Sequence, residues 1–177
     1  VNMLNAYHKS FMLLAPTGRA AKVLSGYTGE NAMTIHRGLG YMPGHGWGYN
    51  EEHPLMQDVV IVDEFSMVDI FLFRHLLEAI DFSRTKLLLI GDDAQIPSVG
   101  AGNVLYDLLC YNQIPTITLN KIFRYGKGGL STAATDTREG KEYLDKNQNG
   151  MQAFGDDKSY IFMPLSQDKL VDYAVNV

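Results

Sequence analysis

Cysteine is almost absent: Cys110 is the only one in 177 residues. No internal disulfide can form, which excludes a disulfide-stapled secreted scaffold and points to a reducing, cytoplasmic setting. Long apolar runs are missing too. No stretch approaches the roughly 18 consecutive apolar residues of a membrane span, so no membrane partner is expected. The opening residues, VNMLNAYHKS, lack the charged, apolar and small-residue order of a signal peptide. Positive charge is not in excess, with 15 Lys and Arg against 20 Asp and Glu and a net charge of −5. A nucleic-acid binder often carries a basic face, so this balance weighs mildly against one. Local patches matter more than the sum, and charge alone leaves the question open.

What is present is the composition of an ordinary globular chain, 46% hydrophobic and 20% charged. Three short aliphatic runs stand out: Phe11–Ala15 (FMLLA), Val59–Val62 (VVIV) and residues 86–90 (KLLLI). Continuous apolar runs of this length read as strands buried on both faces, as in parallel sheets. A fourth, residues 116–119 (TITL), follows Pro115. Helical spacing lies between them, in Phe71, Leu72, His75, Leu76 and Ala79 and again in Val104, Leu105, Leu108 and Leu109. Strands alternating with helices predict an α/β fold, a parallel sheet flanked by helices. Residues 41–54, rich in glycine and proline, read as an exposed loop or small hairpin. From residue 125 the texture turns polar, with a last strand expected at residues 160–163 and a helix at 167–175. A boundary is therefore expected near Arg124, giving a first domain over 1–124 and an incomplete second over 125–177.

The sharpest local signal is VVIVDEFSMVD, residues 59–69. Its strand delivers Asp63 and Glu64 to a C-terminal tip, where open α/β sheets bind ligands. There one carboxylate suits Mg²⁺, which prefers oxygen donors and keeps part of its hydration shell. The other suits polarising an attacking water. Two solvated acids at a strand end are the plainer alternative. One strand–helix–strand step later, IGDDAQIPSVGAG offers Gln95 to a neighbouring tip. Its amide can donate to a phosphate oxygen and accept from a water, or simply bond nearby backbone. Upstream, APTGRAA supplies Pro16, Thr17 and Arg19 at a helix start, and TIHR supplies Thr34 and His36. Each suits phosphate contacts, yet separately each reads first as a helix cap with a surface charge. Arg124, alone after an apolar stretch, reads by itself as a structural ion-pair partner.

In order along the chain, APTGRAAKVL, TIHRGLGY, VVIVDEFSMVD, LLLIGDDAQIPSVGAGNVLYDL and LNKIFR resemble the RecD-like branch of superfamily 1 DNA helicases, which includes the exodeoxyribonuclease V alpha subunit. The resemblance covers about residues 11–124. It implies a RecA-like P-loop NTPase domain followed by the start of a second one, working with ATP and Mg²⁺. It further implies Asp63 as the Mg²⁺-associated acid, Glu64 as general base, Gln95 as γ-phosphate sensor and Arg124 as an arginine reaching the γ-phosphate. Pro16, Thr17, Arg19, Thr34 and His36 fall where such helicases contact single-stranded DNA. The implied function is 5′-to-3′ translocation in DNA recombination and repair, with other subunits of a recombination-repair complex as possible partners. One departure is large: no G-x-x-x-x-G-K-[ST] phosphate loop occurs in these residues. The expectation is a fragment of a longer helicase, with that loop just upstream of Val1 and with negligible ATPase activity by itself. Two other readings compete, a scaffold module that has lost nucleotide binding and a P-loop ATPase unrelated to DNA.

Overall fold

The structure is a computed structural model that describes residues 1–119, 128–146, 150–156 and 158–166. The chain divides into two compact units, Val1–Thr116 and Ile117–Val177.

The first unit is the expected parallel α/β sheet. A short α1 (Asn2–Ala6) leads into β1 (Phe11–Ala15), α2 (Gly18–Thr28), β2 (Ala32–Thr34) and α3 (Ile35–Gly38). After a small hairpin come β3 (Val59–Val62), a single 3₁₀ turn (Phe65–Met67), α4 (Ile70–Glu78), β4 (Lys86–Leu89) and α5 (Val104–Tyr111). The four strands lie in the order β2-β1-β3-β4, all parallel. Leu14 pairs with Val62, which pairs with Leu89, while Ala15 pairs with Thr34. This register brings the four C-terminal strand ends to one edge of the sheet. β1 and β3 bury their apolar runs as the sequence predicts, with Leu13, Leu14, Ala15, Val60, Ile61 and Val62 all in the core. Phe65, Leu72, Phe73 and Leu76 pack with β1 and β3 in one cluster.

Three expectations need correction. β4 is not buried on both faces: among the described residues it is the last strand of the sheet, and Leu88 stands 49% exposed. The TITL segment, 116–119, forms no strand, and Ile117 and Leu119 are exposed. A strand exists only through a neighbour's backbone, and Pro115 supplies no N–H to begin a ladder. On α4 the inward face carries Leu72, Phe73 and Leu76, whereas Phe71 points outward at 66% exposure. Hydrophobic residues on both sides of the helix made Phe71 and Phe73 indistinguishable by spacing.

The opposite end of the sheet is clamped by polar groups. Asp58 Oδ2 accepts from the Ser10 backbone N–H and the Ser10 hydroxyl, both at 2.8 Å, and Ser10 Oγ accepts from the Asp58 N–H at 2.9 Å. Lys9 Nζ adds an ion pair at 3.3 Å. The Ser10 hydroxyl and N–H, then Lys9, hold the Asp58 carboxyl below its ordinary range. A carboxyl depressed in the folded state stabilises the fold above its unfolded pKa, and that contribution disappears as pH falls through the folded value. Asp58→Asn is therefore expected to lower the unfolding midpoint at neutral pH. The deficit relative to wild type should shrink as pH drops below the carboxylate range, which thermal melts from pH 7 to pH 3 would show. An unchanged deficit at pH 3 would mean that the clamp does not depend on charge.

In the second unit, α6 (Gly129–Arg138) precedes an antiparallel pair, β5 (Gln152–Phe154) and β6 (Tyr160–Phe162). Tyr143, Phe154 and Tyr160 form a ring cluster with centroids 5.5–6.0 Å apart. Gln152 is buried because its amide closes a two-way bond with the Asp145 backbone, at 2.9 and 2.8 Å. The sequence texture suggested little structure before residue 159, so α6 and β5 are additions. The expected strand at 160–163 is present as β6; the helix expected at 167–175 lies outside the described residues.

Candidate nucleotide and nucleic-acid site

The singled-out residues that follow the strands emerge from one edge of the sheet, in a fixed order. Thr34 ends β2, Pro16 and Thr17 follow β1, Asp63 and Glu64 follow β3, and the turn carrying Gln95 follows β4. Neighbouring strands in a sheet lie about 4.8 Å apart, so adjacent tips are within reach of one bound ligand.

Asp63 and Glu64 are held by the backbone of both neighbouring strands. The Asp63 N–H donates to Leu14 O on β1 at 2.9 Å, and the Phe65 N–H donates to Ile90 O beyond β4 at 2.9 Å. Between these anchors Glu64 takes a left-handed backbone conformation, φ 54° and ψ 39°. A non-glycine residue there is uncommon and costs about 1–3 kcal/mol, a strain concentrated at functional sites. The turn is sharp enough to start the 3₁₀ segment at once, which drops Phe65 into the core. Asp63 Oδ1 accepts from the Glu64 N–H at 3.0 Å, which fixes the carboxylate orientation. Among the described residues no donor reaches Oδ2.

The β4 turn is fastened at both ends. Gly91 lies so close to the 3₁₀ segment that a Cβ there would sit 3.2 Å from Ser66 N and 2.9 Å from Leu105 Cδ2. Further along, the Ile70 N–H donates to Ala101 O at 3.0 Å. Between these points the Gln95 N–H closes on Asp92 O at 3.1 Å and leaves the Gln95 side chain exposed. Ser66 is buried beside Gly91, and its Oγ has no partner among the described residues. Nothing in the sequence pattern separated Ser66 from any small core residue.

On the other half of the edge, both threonines are helix caps. Thr17 Oγ1 accepts from the Ala20 N–H and Thr34 Oγ1 from the Arg37 N–H, each at 3.2 Å. The plainer reading of these residues is thus correct, but it does not exhaust them: each hydroxyl proton remains available to a phosphate oxygen. Arg19 is exposed in the first turn of α2, and His36 and Arg37 are exposed on α3. The His36 ring stacks on Trp47 at 5.4 Å and meets Tyr41 edge-on at 5.5 Å, an aromatic setting that the sequence reading missed. Arg124 lies outside the described residues.

A magnesium ion fits this donor set. Asp63 offers an oriented carboxylate oxygen, and Mg²⁺ at nucleotide sites commonly uses one or two carboxylates with water and phosphate oxygens. No group of three or more His, Cys, Asp or Glu residues suited to an all-protein metal site occurs among the described residues. No helix among them is long and apolar enough to cross a membrane.

The family model for an AAA domain matches residues 1–156. The chain is 43% identical over 112 residues to the ATP-dependent RecD2 DNA helicase of Deinococcus radiodurans, covering 63% of this chain and 15% of that protein. It is 38% identical over 115 residues to the RecBCD enzyme subunit RecD of Mycolicibacterium smegmatis, covering 55% of this chain and 21% of the relative. The RecD subunit of Haemophilus influenzae is 36% identical over 118 residues, covering 54% and 18%. The chain thus spans about a fifth or less of the length of these relatives. The chain therefore belongs to the AAA domain family, and it is similar to part of the RecD and RecD2 proteins.

Proposed function

We propose that this chain forms the core of the first motor domain of an ATP-driven DNA helicase that moves 5′ to 3′ along single-stranded DNA in recombination and repair. The observation that carries the reading is the division of one sheet edge into two halves. Asp63, Glu64 and the Gln95 turn occupy the β3–β4 half, and Thr17, Arg19, Thr34 and His36 occupy the β1–β2 half. ATP binding and hydrolysis at the first half would drive closure of this domain on a second one, and the DNA contacts of the other half would move with the sheet that carries both.

In this mechanism Asp63 would hold Mg²⁺, and the ion would supply charge neutralisation for the phosphates. Glu64 orients the lytic water and accepts its proton; its fixed backbone means that little reorganisation is needed. Gln95 would contact the γ-phosphate, and Arg124, which lies outside the described residues, is assigned to the same phosphate by the resemblance alone. The polar and cationic residues of the β1–β2 half contact DNA backbone without reading sequence, as translocation requires. Residues 125–177 begin the second motor domain. The protein works in the cytoplasm, alone or with other subunits of a recombination-repair complex.

These residues contain no phosphate loop, so the 177-residue chain alone is expected to hydrolyse ATP negligibly. Magnesium-dependent turnover by the purified chain would overturn that expectation. The test of the function itself is ATP hydrolysis by the full-length protein, with and without single-stranded DNA. Stimulation by DNA supports the motor. Hydrolysis indifferent to DNA points to an ATPase of another kind, and none at all points to a scaffold.

A further inference from the structure

The loop between α3 and β3 is a built structure. Met42 and Gly46 form an antiparallel bridge, with the Met42 N–H donating to Gly46 O at 2.9 Å. The base of this small hairpin is pinned to the end of α3. The Tyr41 N–H donates to His36 O at 2.8 Å, and the Gly48 and Tyr49 N–H groups both donate to Leu39 O at 3.1 Å. Gly40 has φ +65°, and a Cβ there would lie 3.3 Å from Gly48 Cα, so the two backbone segments touch. Leu39, the anchor, is fully buried.

Four rings converge on this hairpin. Trp47 is half-buried against the core and stacks on His75 of α4, with centroids 4.4 Å apart and planes 27° apart. The His36 ring stacks on the same indole at 5.4 Å, and Tyr41 meets it at 4.8 Å. His75 is itself oriented: its Nδ1–H donates to Glu78 Oε2 at 3.0 Å, and Glu78 also accepts from Arg74 Nε at 2.7 Å. The contacts grade from fixed to open. His75 and Trp47 are partly buried, whereas His36 is exposed and Tyr41 is 42% exposed. Two exposed rings held in place by a stack have little side-chain entropy left to lose on binding a flat partner.

Resting on the single-stranded DNA reading above, we propose that Tyr41 and His36 form a base-stacking platform and that Trp47, anchored on His75, is the positioning residue that holds both. The platform belongs to the β1–β2 half of the site, directly after β2 and α3, and the exposed Arg37 follows His36 on α3. Base stacking on such rings is sequence-tolerant, because every base has a π-face. The stack also ends on α4, the first α-helix after Asp63 and Glu64, so the platform is braced by an element of the same unit.

The experiment measures equilibrium binding of full-length protein to a dT oligonucleotide and to an abasic oligonucleotide of the same length. Trp47→Ala is expected to weaken dT binding about tenfold, the scale of one lost base stack, while abasic binding changes less than about twofold. Trp47→Phe restores most of the dT affinity, since a ring remains to stack. Tyr41→Leu, at an exposed position, should show the same selectivity with no cost to folding, and it decides the matter if Trp47→Ala proves unstable. In ATP hydrolysis the loss should appear in the half-saturating dT concentration rather than in the rate at saturation. Equal losses on dT and abasic strands, or no loss on either, would overturn the platform. A wild-type protein that bound neither strand would instead sink the DNA reading on which it rests.

Discussion

Glu64→Gln in the full-length protein is expected to lower DNA-stimulated ATP hydrolysis by about two to four orders of magnitude, the usual scale of a lost general base. The size follows from what the substitution leaves alone. Glutamine has the same length and branching, so the left-handed turn at position 64 and the Phe65–Ile90 backbone bond stay as they are. The Asp63 carboxylate keeps its bond to the residue 64 N–H and with it its orientation. Only the proton-accepting oxygen disappears. Nucleotide affinity should therefore change by less than about threefold while turnover collapses, the signature of an interaction made in the transition state. Steady-state hydrolysis paired with fluorescent-nucleotide binding would separate the two effects. If turnover fell by less than tenfold, Glu64 would be a solvated acid and the base would have to be sought elsewhere on the edge. If binding and turnover fell together, the residue would serve the fold of the tip.

How far the sequence led differs from element to element, for physical reasons. β1 and β3 were legible to the residue because each is a short aliphatic run, bounded by polar or glycine-containing turns, that the fold buries. β4 carries a similar run, yet it ends the sheet, and whether a strand has a neighbour is a property of the fold rather than of its own residues. TITL failed for the same reason. β2, three residues long in AMT, carries no periodicity to find; only its pairing with β1 defines it. The acidic tip was legible as a pattern, aliphatic strand then Asp-Glu, but not as a conformation: the left-handed backbone at Glu64 appears only with coordinates. The threonines show the converse. Sequence offered helix cap or phosphate contact as alternatives, and the geometry allows both at once, because a cap uses the oxygen and leaves the proton. Trp47 was invisible for a further reason. It sits in a glycine-rich stretch whose texture reads as loop, and its partners His36 and His75 lie in two different helices.

Phe65→Ala should be the most damaging core substitution near the site, with an expected loss of about 3–5 kcal/mol of stability. Phe65 is fully buried, packs edge-on against Phe73 at 5.3 Å and belongs to the cluster that joins β1, β3 and α4. It leaves a cavity that its neighbours cannot collapse into easily, since the backbone on either side is tied to Leu14 and Ile90. A domain of this kind has a total stability of about 5–15 kcal/mol, so the variant would stand near the edge of folding. The control is Phe71→Ala, six residues further along in α4 and 66% exposed, expected to cost less than about 0.5 kcal/mol. Urea denaturation of both variants should shift the midpoint for Phe65 and leave it for Phe71, with similar m-values. The contrast matters because helical spacing alone assigned Phe71 to the inward face. A larger loss at Phe71 than at Phe65 would restore that assignment and overturn the packing described for α4. With the expected result, Phe65 becomes the physical link between stability and chemistry. The ring that fills the core is one residue from the carboxylate proposed to accept the proton, so the strained backbone at Glu64 is held by burial of its neighbour.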